Sequence, residues 1–321
     1  MVSRRSLLLA LLSAPLASRA RAADPAFTAW LAGLRSEALG QGIKAATLDR
    51  ALTGVEPIPR IIELDRRQPE TTLTFAAYIE RVVSPARRAE GRQRLAENRA
   101  LLDDVARRFG VEPRFIVALW GIETDFGRVT GSYPVIPALA TLAFDGRRPA
   151  FFRHELINAL VIVDRQHIDP RQMMGSWAGA MGQSQFMPSS FLAYAVSYRG
   201  ATAPDIWTRR DDVFASIANY LSRVGWRAGE GWGEEVRLPP GYAGPPSDTR
   251  RAIAEWAASG ITRVDGKPLN SRAADAALVM PAGPEGPFFL AYGNFKTLLK
   301  WNSSTYFAIA AGFLADSVAQ K

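Results

Sequence analysis

The stretch "FIVALWGIETDFG", residues 115–127, places the strongest constraint on the fold of this chain. Eight apolar or glycine residues follow one another before the first charged residue, Glu123. Pro113 is typical of a helix start and Gly127 of a helix end, so the stretch is expected to form a helix between them. A helix that is apolar on every side must be buried. The rest of the chain therefore has to supply elements that surround it.

Glu123 is the exception within this apolar helix. Helical spacing places it on one face with Ile116 and Trp120, in the last turns, where the helix dipole is negative. Desolvation and the dipole both disfavour the anion, so both predict a raised pKa. A carboxylic acid that stays protonated near neutral pH can serve as a general acid. The alternative interpretation is a buried ion pair with an arginine such as Arg128 or Arg147.

A second carboxylate that could act with Glu123 is not evident. A conventional glycosidase needs one about 5 to 9.5 Å from the first. Asp125 is nearest in sequence, but two residues along a helix place it almost on the opposite side, where local hydrogen bonds at the helix end are its expected role. Asp145 lies in "FDGRRP", a turn-like segment beside two arginines. The sequence thus predicts one well-placed acid without a partner.

The glycine-rich segment "GSWAGAMGQSQFMPSSF", residues 175–191, is the second informative stretch. It lacks the Lys-Ser/Thr pair of a phosphate-binding loop, and no strand leads into it. Small residues let a ligand approach the backbone, and the segment carries polar groups beside Trp177 and Phe186, namely Ser176, Gln183, Ser184 and Gln185. Hydroxyl and amide groups interleaved with aromatic rings are suited to sugars. The alternative is a structural turn with core aromatics.

The remaining chain is mostly helical in pattern, with one interruption. Apolar residues recur at helical spacing from residue 26 to about 108. Residues 229–293 are rich in Gly and Pro, and "AALVMPAGPEGPFFLAYGNF" reads as a strand, a turn and a second strand. This predicts a small β-containing insertion, after which the helical body resumes. Further helices are expected at 151–164, 189–196, 212–224 and 294–318.

The N-terminal residues are typical of an export signal. Arg4 and Arg5 precede an apolar run, and Ala20-Arg21-Ala22 matches a small-x-small cleavage site. We therefore expect a signal peptide at 1–22, similar to the twin-arginine type, and a periplasmic protein. The alternative is an uncleaved N-terminal anchor. The chain contains no cysteine, so it has neither disulfides nor a lipid-modified cysteine, and no stable membrane anchor is expected.

The charge balance argues against nucleic acid as a partner. The formal net charge is +8, and the predicted signal peptide carries four arginines and no acids, so +4 remains after cleavage. No dense basic run accompanies this modest excess. Other chemistries fit poorly as well. "HELIN" lacks the second histidine of a zinc peptidase, and "GQSQF" is not a serine-hydrolase elbow.

Four sequence blocks together resemble one known family. "LWGIETDFGRVTGSYPVIPALATLAFD", "GSWAGAMGQSQFMPSSFLAYAV", "ASIANYLSRVGW" and "LKWNSSTYFAIAAGFLAD" occur in the order and approximate spacing seen in lytic murein transglycosylases. The chain is similar to the membrane-bound lytic transglycosylase B family over essentially everything after the signal peptide.

The resemblance implies a fold and a domain organisation. The fold class would be mainly α (α+β), with a lysozyme-like catalytic core, an additional N-terminal helical region and a small β-containing insertion. We expect the helical region at 23–100, the core at 101–228 and 294–321, and the insertion at 229–293.

The resemblance also implies an activity and a site. Members cleave the bond between N-acetylmuramic acid and N-acetylglucosamine in peptidoglycan strands and form a 1,6-anhydro ring without water, with one glutamate as acid and then base. By the motif match this residue is Glu123. The positions that match substrate-binding residues are Ser176, Gln185, Tyr220, Asn302, Trp301, where relatives often have tyrosine, and Arg148.

One departure concerns metals. Better-known relatives carry an aspartate-rich calcium loop before the "ANYL" motif, whereas "SYRGATAPDIWTRRDD" has no alternating acids. We therefore expect no metal and no cofactor. Two alternative functions stay open: a lysozyme-type peptidoglycan hydrolase that uses water, and a non-catalytic wall-binding protein.

Overall fold

The structure is a computed structural model that describes residues 24–67, 73–165, 167–200, 203–242, 249–270 and 272–320. The predicted signal peptide, residues 1–22, lies outside the described residues. None of the helices in these ranges combines the length and apolarity needed to cross a bilayer.

Helices dominate the described chain. They are α1 Pro25–Gly40, α2 Ala45–Leu52, α3 Pro59–Arg66, α4 Phe75–Val82, α5 Pro85–Glu97, α6 Arg99–Phe109, α7 Pro113–Thr124, α8 Val135–Asp145, α9 Pro149–Asp164, α10 Pro188–Tyr194, α11 Arg210–Arg223, α12 Ile253–Ala258, α13 Gly293–Trp301 and α14 Thr305–Ala319. Several begin with the proline that the sequence places there, because a helix leaves its first N–H groups unbonded anyway.

The apolar helix α7 is the centre of the fold. Its residues from Phe115 to Gly121 are all buried, and α5, α6, α11 and α14 pack around it. The helices α1, α2 and α3 pack instead on the pair α8 and α9, which form an antiparallel hairpin-like unit beside the central group. One continuous apolar core runs through both groups, so the helical body is a single packed unit.

The strands lie mainly between residues 233 and 291. They are β3 Gly233–Arg237, β4 Arg250–Ala252, β5 Thr262–Arg263, β6 Asp275–Val279 and β7 Phe288–Ala291, and they form an antiparallel sheet in the order β4-β6-β7-β3-β5. The sheet has a small core of its own around Trp256. Trp232 and Phe289 extend from it into the core of the helical body.

A second pair of strands fixes the glycine-rich segment. The strands β1 Tyr133–Pro134 and β2 Met174–Gly175 pair antiparallel, with Tyr133 opposite Gly175. The chain that follows α7 is thereby joined to the start of the glycine-rich segment, although the two are separated in sequence by α8 and α9.

The helix expected at 294–318 is in fact two helices, and that part of the prediction is wrong. The break falls at Asn302 and Ser304, whose side chains compete for backbone groups. Asn302 Oδ1 accepts from the Ser304 N–H, and Ser304 Oγ accepts from the Phe307 N–H as the cap of α14. The interruption places Trp301 at the end of α13, facing α7 rather than continuing along a straight helix.

Candidate active site

The end of α7 has an unusual backbone. Asp125, Phe126 and Gly127 all have φ between 52° and 83°, in the left-handed region that side chains other than glycine rarely adopt. The cap is therefore Asp125, not Gly127 as the sequence indicated. The Phe126 ring folds back over Gly121, where a Cβ would lie 2.7 Å from it. Strain of this kind persists only where packing and hydrogen bonds hold it.

Ion pairs hold this turn from outside. Asp125 pairs with Arg128 at 2.8 Å and lies 3.5 Å from Arg87, and Arg128 also pairs with Glu90 of α5. Asp125 therefore has the local role expected of it. Arg147 pairs with Asp65. Neither Arg128 nor Arg147 contacts Glu123, so the ion-pair interpretation of the buried acid is wrong.

Glu123 lies in the last turn of α7. Part of the residue is accessible to solvent, but its carboxyl group is surrounded by protein atoms. The only donor that reaches its carboxyl group within the described ranges is the indole Nε1 of Trp301, 2.7 Å from Oε1. Burial raises the pKa of Glu123 to about 7, although the hydrogen bond from Trp301 works in the opposite direction. This group is thus half-protonated near neutral pH, as a general acid requires.

No second carboxylate in the described part of the chain contributes to the pKa of Glu123. Asp125 forms ion pairs with Arg87 and Arg128, and Asp145 forms one with Arg66 on the surface. Within the described ranges Glu123 thus has no carboxylate partner, and that it acts without a second acid stays a prediction.

An aromatic group holds Trp301 in place. Its ring centroid lies 4.8 Å from that of Tyr220 and 5.4 Å from that of Phe186. The Tyr220 hydroxyl donates to the Lys300 carbonyl at 2.6 Å, and burial raises its pKa to about 12. At neutral pH Tyr220 is therefore a neutral donor that links α11 to the end of α13.

The glycine-rich segment is fastened directly to α7. Gln183 accepts at Oε1 from Trp120 Nε1 at 2.9 Å, and its main-chain carbonyl accepts from Thr124 Oγ1 at 3.0 Å. Gly131 approaches Gly175 so closely that a Cβ would lie 2.1 Å from the Gly175 carbonyl oxygen. Glycine is required at such a close approach of two backbones. The segment thus forms a wall next to the end of α7.

Ser176 and Gln185 both lie in this wall and are partly exposed. The Ser176 hydroxyl accepts from the Ala180 N–H at 3.1 Å, which closes the turn of small residues. Gln185 has φ of 50° and donates from Nε2 to the carbonyls of Thr130 and Gly182. No described residue donates to Gln185 Oε1, so that acceptor stays open for a ligand.

The other two proposed binding residues lie in different surroundings. Asn302 follows Trp301 directly and is exposed. Arg148 lies before α9, with its guanidinium over the rings of Phe151 and Phe152. Within the described ranges, Arg148 thus packs on these rings and not on the group formed by Glu123, Trp301 and Tyr220.

Tyr78 of α4 is a site residue that the sequence did not indicate. Its pKa is raised first by burial and second by the nearby charge of Glu123. Its ring lies 5.7 Å from that of Tyr306 at the start of α14. No spacing rule connects α4 with α7, so only the folded chain brings this phenol near the acid.

Metal ligands are not gathered anywhere in the described ranges, since no three His, Asp or Glu side chains are placed to share an ion. In the segment before the "ANYL" motif, Asp211 pairs with Arg199, and Asp212 accepts from the N–H groups of Tyr198 and Asp205. That this protein needs neither metal nor cofactor stays a prediction.

Comparisons with known proteins agree with this geometry. Residues 26–316 match the transglycosylase SLT domain family. Membrane-bound lytic murein transglycosylase B of Escherichia coli is 36% identical over 217 residues, which cover 66% of this chain and 58% of that relative. The alignment thus spans less than two thirds of the relative's own length.

Two solved structures are similar to this chain over most of its length. SltB3 of Pseudomonas aeruginosa, in complex with NAG-anhNAM-pentapeptide, has a TM-score of 0.88 and 43% identity, covering 92% of this chain and 80% of that chain. The soluble lytic transglycosylase SltB1 of the same organism has a TM-score of 0.79 and 31% identity, covering 90% and 98%.

The chain belongs to the transglycosylase SLT domain family. The resemblance found in the sequence is therefore confirmed. The predicted fold class, mainly α with a lysozyme-like core and a small β-containing part, is confirmed as well.

Proposed function

We propose that this protein is a lytic murein transglycosylase. It cleaves the β-1,4 bond between N-acetylmuramic acid and N-acetylglucosamine in peptidoglycan strands and leaves a 1,6-anhydro-N-acetylmuramic acid end. The observation that carries this proposal is Glu123, a single acid enclosed by protein, with a pKa of about 7 and no second carboxylate of the described residues acting on it.

The mechanism uses Glu123 twice. First, the carboxylic acid gives its proton to the glycosidic oxygen, and the bond from that oxygen to C1 of the muramic acid breaks. The resulting carboxylate then takes the proton of the muramic acid C6 hydroxyl, whose oxygen forms a bond to C1. Atoms and protons balance, and Glu123 ends protonated as it began. The substrate supplies the nucleophile, so no second carboxylate is needed.

The residues around Glu123 suit the binding of sugar rings. Gln185 presents a free amide oxygen, Ser176 closes the small-residue turn, and Tyr220 and Trp301 offer aromatic surface. We assign these residues, with Asn302, to the glycan strand. Arg148 is assigned to a carboxylate of the lactyl or peptide part. Support for a peptidoglycan substrate comes from SltB3, which was crystallised with NAG-anhNAM-pentapeptide and with NAG-NAM-pentapeptide.

The same proposal covers organisation and location. The protein works in the periplasm after removal of a signal peptide at 1–22, without a stable membrane anchor, metal or nucleic-acid partner. Its parts are a helical region at 23–100, a catalytic core at 101–228 and 294–321, and an insertion at 229–293. The five-stranded sheet between residues 233 and 291 supports the last of these boundaries.

The products of digestion test the reaction type. Purified peptidoglycan sacculi are incubated with the protein, and the soluble muropeptides are weighed by mass spectrometry. The proposal predicts anhydro products, each one water lighter than the corresponding reducing product. Reducing ends would identify a lysozyme-type hydrolase, and the release of no muropeptides with retained binding would identify a wall-binding protein.

A further inference from the structure

The indole of Trp301 is the closest polar neighbour of the catalytic acid. Its Nε1 donates to Glu123 Oε1 at 2.7 Å, and no other side chain in the described ranges donates to this carboxyl group. The bond joins residues that are far apart in the sequence, from the end of α13 to the end of α7. Its geometry is therefore set by the fold and not by local spacing.

Two elements fix the direction of this indole. Phe186 of the glycine-rich segment and Tyr220 of α11 pack on its ring, the latter at an interplanar angle of 70°. The Tyr220 hydroxyl also donates to the carbonyl of Lys300, the residue directly before Trp301. The N–H group thus points at Glu123 before any substrate arrives.

We propose that Trp301 is a positioning residue that determines which oxygen of Glu123 carries the catalytic proton. This inference rests on the proposed function of Glu123. An indole N–H can donate but cannot accept. Oε1, which accepts this bond, is thereby favoured as the carbonyl oxygen of the acid form, and the proton resides on Oε2, free to pass to the substrate.

A tyrosine at this position would act differently. A phenol both donates and accepts, so the carboxylic proton could be given to the phenol oxygen instead of pointing to the substrate. The donor-only indole removes that possibility. Trp301 is therefore more than one of the substrate-binding positions that the resemblance implied.

The other titratable group near Glu123 is the phenol of Tyr78, which makes no hydrogen bond to the carboxyl group within the described ranges. Tyr78 approaches from α4, and burial and the charge of Glu123 both raise its pKa, so its phenol stays neutral near neutral pH. Among the described residues, no lysine, arginine or histidine pairs with Glu123. The indole is thus the one identified group that stabilises the anion after the proton has left.

Three variants separate positioning from packing. In Trp301→Phe, which removes the N–H and keeps a ring, kcat on soluble glycan fragments should fall about tenfold or more while KM changes by less than about twofold. Loss of the donor disfavours the anion, so the alkaline limb of the pH–rate profile should move upward by about one pH unit. Trp301→Tyr restores a donor, so the limb should return towards its original position, whereas kcat should stay reduced because the phenol oxygen can also accept the carboxylic proton. Trp30→Phe in α1 is the matched control and should leave kcat, KM and the alkaline limb of the pH–rate profile unchanged.

A measurement on the protein alone gives an independent answer. The indole N–H resonance that disappears in Trp301→Phe should titrate with a midpoint near pH 7, with Glu123, and should not titrate in Glu123→Gln. An unmoved pH–rate limb in Trp301→Phe, or a resonance that does not titrate, would overturn the proposal. If the resonance titrates but digestion yields no anhydro products, the reaction assignment fails while the contact between indole and acid stands.

Discussion

Two glutamates that are enclosed by protein, Glu123 at the end of α7 and Glu155 in the middle of α9, differ in the donors that meet their carboxyl groups. Glu155 of α9 is 2% exposed and accepts from both the N–H and the hydroxyl of Ser189, at 2.9 and 2.7 Å, where α10 begins. Glu123 lies at the negative end of its own helix and receives one indole N–H.

The difference shows that enclosure by protein alone does not decide whether a glutamate has a structural or a chemical role. At Glu155 the N–H and the hydroxyl of Ser189 bond to the two carboxyl oxygens, and the carboxyl group in turn caps the start of α10. At Glu123 the donors are too few to offset desolvation, so the acid keeps its proton to about pH 7. The first arrangement joins two helices, whereas the second leaves a proton available for chemistry.

The largest effect is expected from Glu123→Gln. An amide of the same shape cannot transfer the proton, so lysis of sacculi should fall by at least about 10²- to 10⁴-fold, while binding to sacculi is retained. Release of muropeptides and co-sedimentation with sacculi measure the two quantities. Glu155→Gln is the matched control and should keep its activity per folded molecule. Lysis by Glu123→Gln within tenfold of the original rate would remove Glu123 from the mechanism.

Glu155→Ala should have the opposite profile. It leaves the N–H and hydroxyl of Ser189 without their acceptor in a buried place, so the free energy of unfolding should fall by about 2–3 kcal/mol. Activity per folded molecule should stay close to that of the original protein. Denaturant unfolding followed by circular dichroism measures the stability. An unchanged denaturation midpoint would show that the two donors find other acceptors and that Glu155 does not stabilise the junction of α9 and α10.

The difference in stability between Glu123→Gln and the original protein should depend on pH. The pKa of Glu123 is 4.5 in its ordinary state and about 7 in the fold, so the folded protein holds a proton that the unfolded chain releases. The stability contributed by that proton is complete below about pH 4.5 and is lost as the pH rises through about 7. At about pH 8 the Gln variant should be more stable by about 1–3 kcal/mol, and near pH 4 the two should agree. Thermal unfolding at both values measures this, and equal stability at both would contradict the raised pKa.

The smallest effect is the decline of activity with pH. Because the first step needs the protonated form of Glu123, kcat/KM should decrease above about pH 7 and approach a tenfold loss per pH unit. Measuring kcat/KM on soluble glycan fragments from about pH 5 to pH 9 gives the alkaline limb of the pH–rate profile. A profile that stays flat to about pH 9 would show that another group supplies the proton.

The features that sequence predicts best are those carried by local pattern. The apolar run of α7, the glutamate within it, the glycine-rich segment and the β-containing stretch after residue 229 all follow from composition and periodicity. The glycine-rich segment was interpreted as a place where a ligand approaches the backbone, whereas at Gly175 it is the backbone of Gly131 that approaches.

The features that sequence missed depend on contacts between distant segments. The bond from Trp301 to Glu123, the approach of Tyr78 and the clamp of Glu90 on Arg128 join elements whose packing no local rule supplies. The left-handed run that begins at Asp125 was missed for another reason. The unfavourable backbone conformation is offset by the packing of Phe126 on Gly121 and Trp120. Local sequence preferences favour the relaxed conformation and so do not predict it.

The pKa of Glu123 can be measured directly by NMR titration of isotope-labelled glutamate side-chain carboxyl carbons, with Glu123→Gln used to assign the resonance. A midpoint close to 7 for Glu123 is the expected result. A midpoint near the ordinary glutamate value of 4.5 would mean that the acid is ionised at neutral pH and cannot deliver the proton assigned to it.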